Sequence, residues 1–359
     1  MTFRTAGAVL VLLSIFALQP LSAQEVKPHQ WTADRPDGQA PISLTTARTL
    51  QGGELHLSFK YVNDRFSGQG VGTDSLTLNE VLGSFTVAPT ELVTRGAEVN
   101  LMFGVTDHLT LSATGVFAQK KMEMVIQDPN NSGLFWIGNS EALGPEDVRV
   151  EALYNVVERG GARVHFHGGV SIPVGPIDAD DEVLDPVRPG SQVVEVQLPY
   201  RQQLGSGTFD VLPGVTADVQ NEKASLGLQA KATIRMGEND RGWTLGDVYT
   251  GTVWGAYKAS EYASVSMGAR YTTWGDIEGF DEALLTSTSD IFDSPAYNSL
   301  MSGSRVEIPM GVNFYVNEGR FQGHRFSLEF LVPVHQSLDY TQFRRDWSVV
   351  MGWQTDVNF

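Results

Sequence analysis

The stretch Arg345 to Phe359, RDWSVVMGWQTDVNF, decides the fold. Read back from its end, Phe359, Val357, Thr355, Trp353, Met351, Val349 and Trp347 fall on one face. Asn358, Asp356, Gln354, Gly352 and Ser348 fall on the other. A period of two belongs to a β-strand. Bulky side chains on one face and polar or small ones on the other suit a wall between lipid and a wet lumen, as in a transmembrane barrel. An edge strand of a soluble sandwich carries the same pattern, so the rest of the chain has to choose between them.

Working outward, the alternation recurs from Glu54 onward, first in Leu55, Leu57, Phe59 and Tyr61 against His56, Ser58 and Lys60. It then comes in pairs. Ala97 to Phe103 leads through Thr106-Asp107-His108 into Leu109 to Phe117, and Val148 to Val156 through Gly160-Gly161 into Val164 to Ile172. Phe209 to Ala217, Val248 to Ala256 and Val306 to Phe314 turn back in the same way into Leu226 to Ile234, Ala263 to Tyr271 and Phe326 to Val334. With the first and last strands this predicts 12.

Longer irregular stretches at 63–92, 120–146, 175–206, 237–245, 274–303 and 336–345 separate the pairs, whereas the turns within them are short. That segregation predicts an all-β fold, a transmembrane antiparallel up-and-down β-barrel over 54–359 with short periplasmic turns and long extracellular loops. Ten or fourteen strands remain as alternatives, because 75–88 and 192–198 each read as strand or as loop. Aromatics near strand ends, among them Phe59, Phe103, Phe117, Tyr271, Phe314 and Phe326, fit interfacial girdles.

At the front, Arg4, the apolar run Ala6 to Leu18, Pro20 and the small pair Ser22-Ala23 read as a signal peptide over 1–23. Residues 24–53 carry no periodicity and are expected to form an irregular periplasmic N-terminal segment with room to tuck into the barrel mouth. No later run approaches the roughly 20 apolar residues of a spanning helix, so a membrane location requires a barrel. The absence of cysteine removes disulfides, thiolate metal sites and a Cys nucleophile. A formal charge of −17 makes nucleic acid a poor partner. The 37 glycines suit lumen-facing positions and tight turns.

Leu198-Pro199-Tyr200 through Leu204-Gly205-Ser206-Gly207-Thr208-Phe209-Asp210-Val211-Leu212-Pro213-Gly214 resembles the loop-to-strand signature of the outer-membrane transporter family named for the meta-pathway of phenol degradation. Asp34-Arg35-Pro36-Asp37 is similar to that family's N-terminal motif. Gly246-Asp247-Val248-Tyr249 with Trp254-Gly255-Ala256-Tyr257, and Gly104-Val105-Thr106-Asp107-His108-Leu109-Thr110-Leu111, extend the resemblance along most of the mature chain. It implies a bacterial outer-membrane barrel passing small, often apolar molecules. A terminal Phe359 likewise resembles the end of bacterial outer-membrane barrels, where the assembly machinery reads that strand. The surrounding partners implied are outer-membrane lipid and lipopolysaccharide.

The polar faces nominate Glu98, Arg149, Glu151, His165, His167, Lys231, Arg235, Arg270, Glu307 and Glu329 as lumen-lining. Acids and bases are balanced among them, so they either pair across strands in a filled lumen or form a selectivity constriction. His165 and His167 with Ser171 also fit half a metal site or the base of a Ser nucleophile, but no elbow or acid partner stands at a recognisable spacing. Asp178-Ala179-Asp180-Asp181-Glu182 with Asp185 reads as a solvated acidic loop or a cation site. The acidic and apolar stretch 274–303, with Phe280, Leu284, Leu285, Ile291 and Phe292, reads as a lid or as a packed surface loop.

The reading taken forward is a passive channel for small, apolar or aromatic solutes, not an enzyme and without cofactor or metal. A lipid-acting outer-membrane enzyme and a non-conducting structural or adhesive barrel are the alternatives.

Overall fold

The structure, a computed structural model, describes residues 29–128, 131–185, 192–284 and 294–358. The signal-peptide expectation for 1–23, Phe359, and Leu285, Ile291 and Phe292 lie outside those residues.

The strands are β1 (Glu54–Gly72), β2 (Val87–Gly104), β3 (Leu109–Asp128), β4 (Val148–Arg159) and β5 (Ala162–Ile172). There follow β6, made of Phe209–Val211 and Gly214–Gln220 on either side of Pro213, then β7 (Ala224–Met236), β8 (Val248–Lys258), β9 (Ala263–Trp274), β10 (Gly303–Tyr315) and β11 (Arg325–Asn358). Each pairs antiparallel with its neighbour in sequence, and β11 closes on β1 from Glu54↔Asn358 to Gly72↔Leu338. β11 pairs with β10 over Arg325 to Leu338 and with β1 over Leu338 to Asn358. It therefore runs up one side and down the next. Eleven elements, one counted twice, give 12 staves, the number the alternation predicts.

Burial is inverted relative to a soluble domain. Phe59, Leu101 and Phe166 are 45, 47 and 56 % exposed, while Ser58, Lys60, Asn100 and His165 are 1, 4, 6 and 1 % exposed. Water does not tolerate a continuous apolar belt of that extent, and lipid requires one. At the end carrying the short turns, Gly160 and Gly161 form a two-residue hairpin with φ of 58° and 78°. Both values are left-handed, which glycine adopts without strain.

The opposite end differs from the expectation of irregular loops. β3 continues to Asp128 and pairs with Asn131–Pro145 over Phe117↔Pro145 to Asp128↔Asn131, so 120–128 and 131–145 are the two arms of a hairpin rising above the wall. The two ambiguous segments are not staves either. Residues 75–88 hold a short strand, the helix Leu78–Leu82 and the start of β2, and the helix begins with a capping box between Thr77 and Glu80. Val193–Gln197 pairs with Asp180–Leu184 in a separate two-stranded sheet. That sheet and the β3 hairpin share a core of Met122, Met124, Ile126, Val183 and Val196. A second core joins three loops through Tyr200, Trp243, Ile277, Leu284 and Met301. Together they roof the outer mouth.

Candidate functional site

The lumen is occupied from below by residues 29–53, which contain no strand or helix. This segment finds partners around most of the wall. Arg325 at the start of β11 donates to the carbonyls of Ala33, Arg35 and Pro36 at 2.6, 2.7 and 3.1 Å. Its guanidinium also lies over the Tyr315 ring, whose hydroxyl bonds Asp34 at 3.1 Å. Ser225 and Ser264 donate to the carbonyls of Asp37 and Pro36. Ile42 packs against Leu331 and Val350, and Leu50 against Met102 and Leu153. The Arg35 and Asp37 charges, both buried, satisfy one another at 3.0 and 2.8 Å.

Four of the ten nominated residues hold this segment. Glu329 accepts the Ser43 amide at 2.8 Å and Arg270 donates to the Ser43 hydroxyl at 2.5 Å. Lys231 donates to the Thr45 hydroxyl at 3.3 Å, and His165 donates from Nε2 to the Thr46 carbonyl at 2.9 Å. Thr46 has φ of 53°, the one left-handed non-glycine residue among the described residues. That conformation costs roughly 1–2 kcal/mol for an L side chain, and the surrounding contacts hold it in place.

The other six pair within the wall. Glu98 bridges Lys60 at 3.0 Å and Arg149 at 3.1 Å. Glu151 lies 3.4 Å from His167 Nδ1, and Arg235 pairs with Asp210. Glu307 takes Arg345 at 3.1 Å and Arg305 at 3.2 Å, and Arg345 reaches on to Asp64. Both histidines of the candidate catalytic pair are thus buried inside the barrel rather than at its lipid rim, His165 held by the Thr46 carbonyl and His167 close to Glu151 but with neither ring nitrogen hydrogen-bonded. Asp181, in the acidic loop, caps the amides of Glu141 and Glu182 at 2.7 and 2.8 Å.

Between roof and N-terminal segment lie two cavities, of about 250 and 310 Å³, that share Phe66 and Arg201. The first is walled largely by apolar groups, Leu245, Val248, Trp274, Ile277 and Met301 among them. A third cavity of about 430 Å³ opens on the short-turn end and is polar, lined by Asp34, Arg48, Glu158, Arg163 and Asp356. Arg201, Phe66, Arg325 and Arg345 are the residues that sequence reasoning missed. Arg201 sits in a loop without periodicity, and the other three are separated from their partners by long stretches of chain.

The roof is tied by Asp281, which accepts from Gln197 and Arg241, each at 2.7 Å, and whose amide donates to the Tyr200 hydroxyl at 3.0 Å. Burial alone would raise the Asp281 carboxyl, but those side-chain hydrogen bonds outweigh it and hold it below the ordinary carboxylate value. A carboxylate depressed by folding stabilises fully above its unfolded pKa of about 3.9, and that contribution is lost as pH falls through the lower folded value. Limited proteolysis of 175–206 and 274–303 should therefore be unchanged between about pH 7 and 5 and rise at about pH 3. Loosening already at pH 5 would contradict this role for Asp281.

A closed up-and-down barrel, apolar outside and charged inside, is an outer-membrane protein. Among solved structures, the chain aligns with an outer membrane channel from Pseudomonas putida F1 at a TM-score of 0.57 and 12 % identity, over 88 % of this chain and 100 % of that one. The toluene transporter TodX of Pseudomonas putida aligns at 0.42 and 11 % identity, covering 91 % of this chain and 98 % of that one. TbuX, the toluene transporter of Ralstonia pickettii, aligns at 0.41 and 11 %, covering 90 and 92 %. No protein-family model matches the sequence, and no curated protein does. The first of these likenesses shows a shared fold.

Proposed function

We propose that the protein is a passive outer-membrane channel for small apolar or aromatic solutes. The observation that carries this reading is the apolar cavity beside Phe66 and Trp274, set between an outer roof and a lumenal segment. A structural barrel has no use for such a chamber, and a lipid-acting enzyme would present its reactive groups at the rim rather than pair them inside. The Pseudomonas putida F1 protein that shares the fold is itself described as an outer membrane channel, which agrees with the resemblance carried by Leu198 to Gly214. In this reading the exposed belt faces lipid, the outer loops meet lipopolysaccharide, and the end of β11 is presented to the assembly machinery. The nominated lumen residues set width and polarity along the path.

The test is single-channel recording of the refolded mature protein in planar bilayers, with toluene and with a sugar as added solutes. A small steady conductance that toluene interrupts and the sugar does not is expected. A folded barrel that neither conducts nor takes up toluene into liposomes would overturn the proposal.

A further inference from the structure

The cavity beside Trp274 has a feature that a path for neutral hydrocarbons does not need. Besides its apolar wall it is lined by Arg201, Arg235 and Arg305 and by no carboxylate among the described residues. Two of these charges are spoken for, since Arg235 pairs with Asp210 and Arg305 with Glu307. Arg201 is not. It donates from Nη2 to the neutral Gln342 side chain at 2.6 Å, and no ion pair to it exists among the described residues. Its Nε is buried without a hydrogen-bond partner, as are those of Arg235 and Arg305, so the missing ion pair is what sets Arg201 apart. Leaving a buried guanidinium donor unmatched is costly, and a chain carrying 42 acidic residues has no shortage of carboxylates to place there. Burial, and then the neighbouring Arg305 charge, lower the Arg201 group to about 10, so it remains a cation at neutral pH.

The surroundings define what would complete the site. A guanidinium binds a carboxylate through two parallel hydrogen bonds, and it does so most strongly where water is excluded. About 250 Å³ beside Phe66, Trp274, Ile277 and Met301 accommodates one ring or a short alkyl body. Building on the channel reading, we infer that this cavity is a binding site for amphipathic monoanions, aromatic or short aliphatic carboxylates, with Arg201 engaging the carboxylate and the apolar wall taking the body. Such a ligand would leave Arg201 paired, as Arg235 and Arg305 already are, and would select acids over neutral hydrocarbons of the same size. Arg201 also lines the neighbouring cavity that holds Glu98, Lys120, Glu146 and Arg149, so an anion released from it passes next into a region of mixed charge.

Equilibrium dialysis of the refolded full-length mature barrel in micelles against benzoate and against benzamide tests this, with empty micelles as the reference. Benzamide keeps the ring and the shape but not the charge. Wild-type protein should hold benzoate at least tenfold more tightly, and Arg201→Gln should erase that preference by weakening benzoate far more than benzamide. Arg201→Lys should retain part of it. Equal binding of the two ligands by the wild type overturns the inference whether or not any variant folds, and so does a preference that survives Arg201→Gln. The two readings fail separately. A protein that passes toluene but shows no preference for benzoate loses the anion site and keeps the channel, whereas a preference without conductance or uptake loses the channel and keeps the site.

Discussion

Deleting residues 30–47 should raise the single-channel conductance several-fold. A barrel of about eight strands is filled by its own side chains and one of sixteen leaves an aqueous channel, so twelve staves enclose a lumen that is open unless something occupies it. Here the occupant is a stretch of chain whose bonds run outward to β5, β7, β9, β10 and β11 through His165, Lys231, Arg270, Tyr315 and Arg325. The Arg35–Asp37 pair leaves with it, and the wall groups it releases, Lys231, Arg270, Arg325 and Glu329, come to face the water of the opened lumen. The gentler variant Arg325→Ala removes donors to three carbonyls, and charge-assisted bonds of that kind contribute about 1.5–3 kcal/mol apiece where they are independent. It should leave the barrel folded, expose the segment to protease and give a smaller increase in conductance than the deletion. If the deletion folds and conducts as the wild type does, the roof rather than this segment limits passage.

The parts of this architecture that were legible in the sequence are those on which lipid acts. Along β2, Val99, Leu101 and Phe103 face outward and Glu98, Asn100 and Met102 inward, because hydrocarbon rejects polar side chains on every second residue. β3 shows where that rule stops. Its even-numbered residues face inward throughout, as polar Thr110, Ser112 and Thr114 in the lower half and as apolar Met122, Met124 and Ile126 above. Lys121 and Glu123 now face outward into water, where Leu111 and Phe117 faced lipid. The period is unbroken but its polarity inverts once the strand leaves the bilayer, so a search for apolar residues on the lipid face ends the strand too early.

The candidate site was legible only in part for a different reason. Side chains such as Glu98 and Arg149 are placed by the alternation itself, and Glu98 meets Lys60 directly opposite on the adjacent stave, whereas Arg149 reaches it across β3. Contacts that close the lumen join residues far apart in the chain, as in Thr32 with Gln220 or Tyr200 with Asp281, separated by 188 and 81 positions. No local pattern announces them. The same holds for Arg201, whose importance lies in the carboxylate it lacks.

Arg345→Ala should be the most destabilising single substitution in the wall, costing about 3–5 kcal/mol, the cost of leaving a buried charge without its partner. Arg345 stands between Asp64 on β1 and Glu307 on β10, with its ring contact to Phe66 on the cavity side. Glu307 is 1 % exposed, and without Arg345 its one direct ion pair among the described residues is with Arg305, while Asp64 keeps no direct ion pair there and only the longer-range attraction of Arg270 and Arg305. Hydrophobic burial cannot compensate, because this face of the wall looks inward and its neighbours are charged. Removing the opposing charge as well should recover part of the loss, since the penalty comes from the stranded carboxylate more than from the missing contact. The comparison to make is denaturant unfolding of Arg345→Ala, Glu307→Gln and the double variant in micelles, with heat-modifiable mobility as the check on folding. A double variant less stable than the sum of the two singles would show that the cluster contributes through packing around Phe66. A double variant close to Glu307→Gln alone would establish Arg345 as the counter-charge that permits a carboxylate at the outer end of β10.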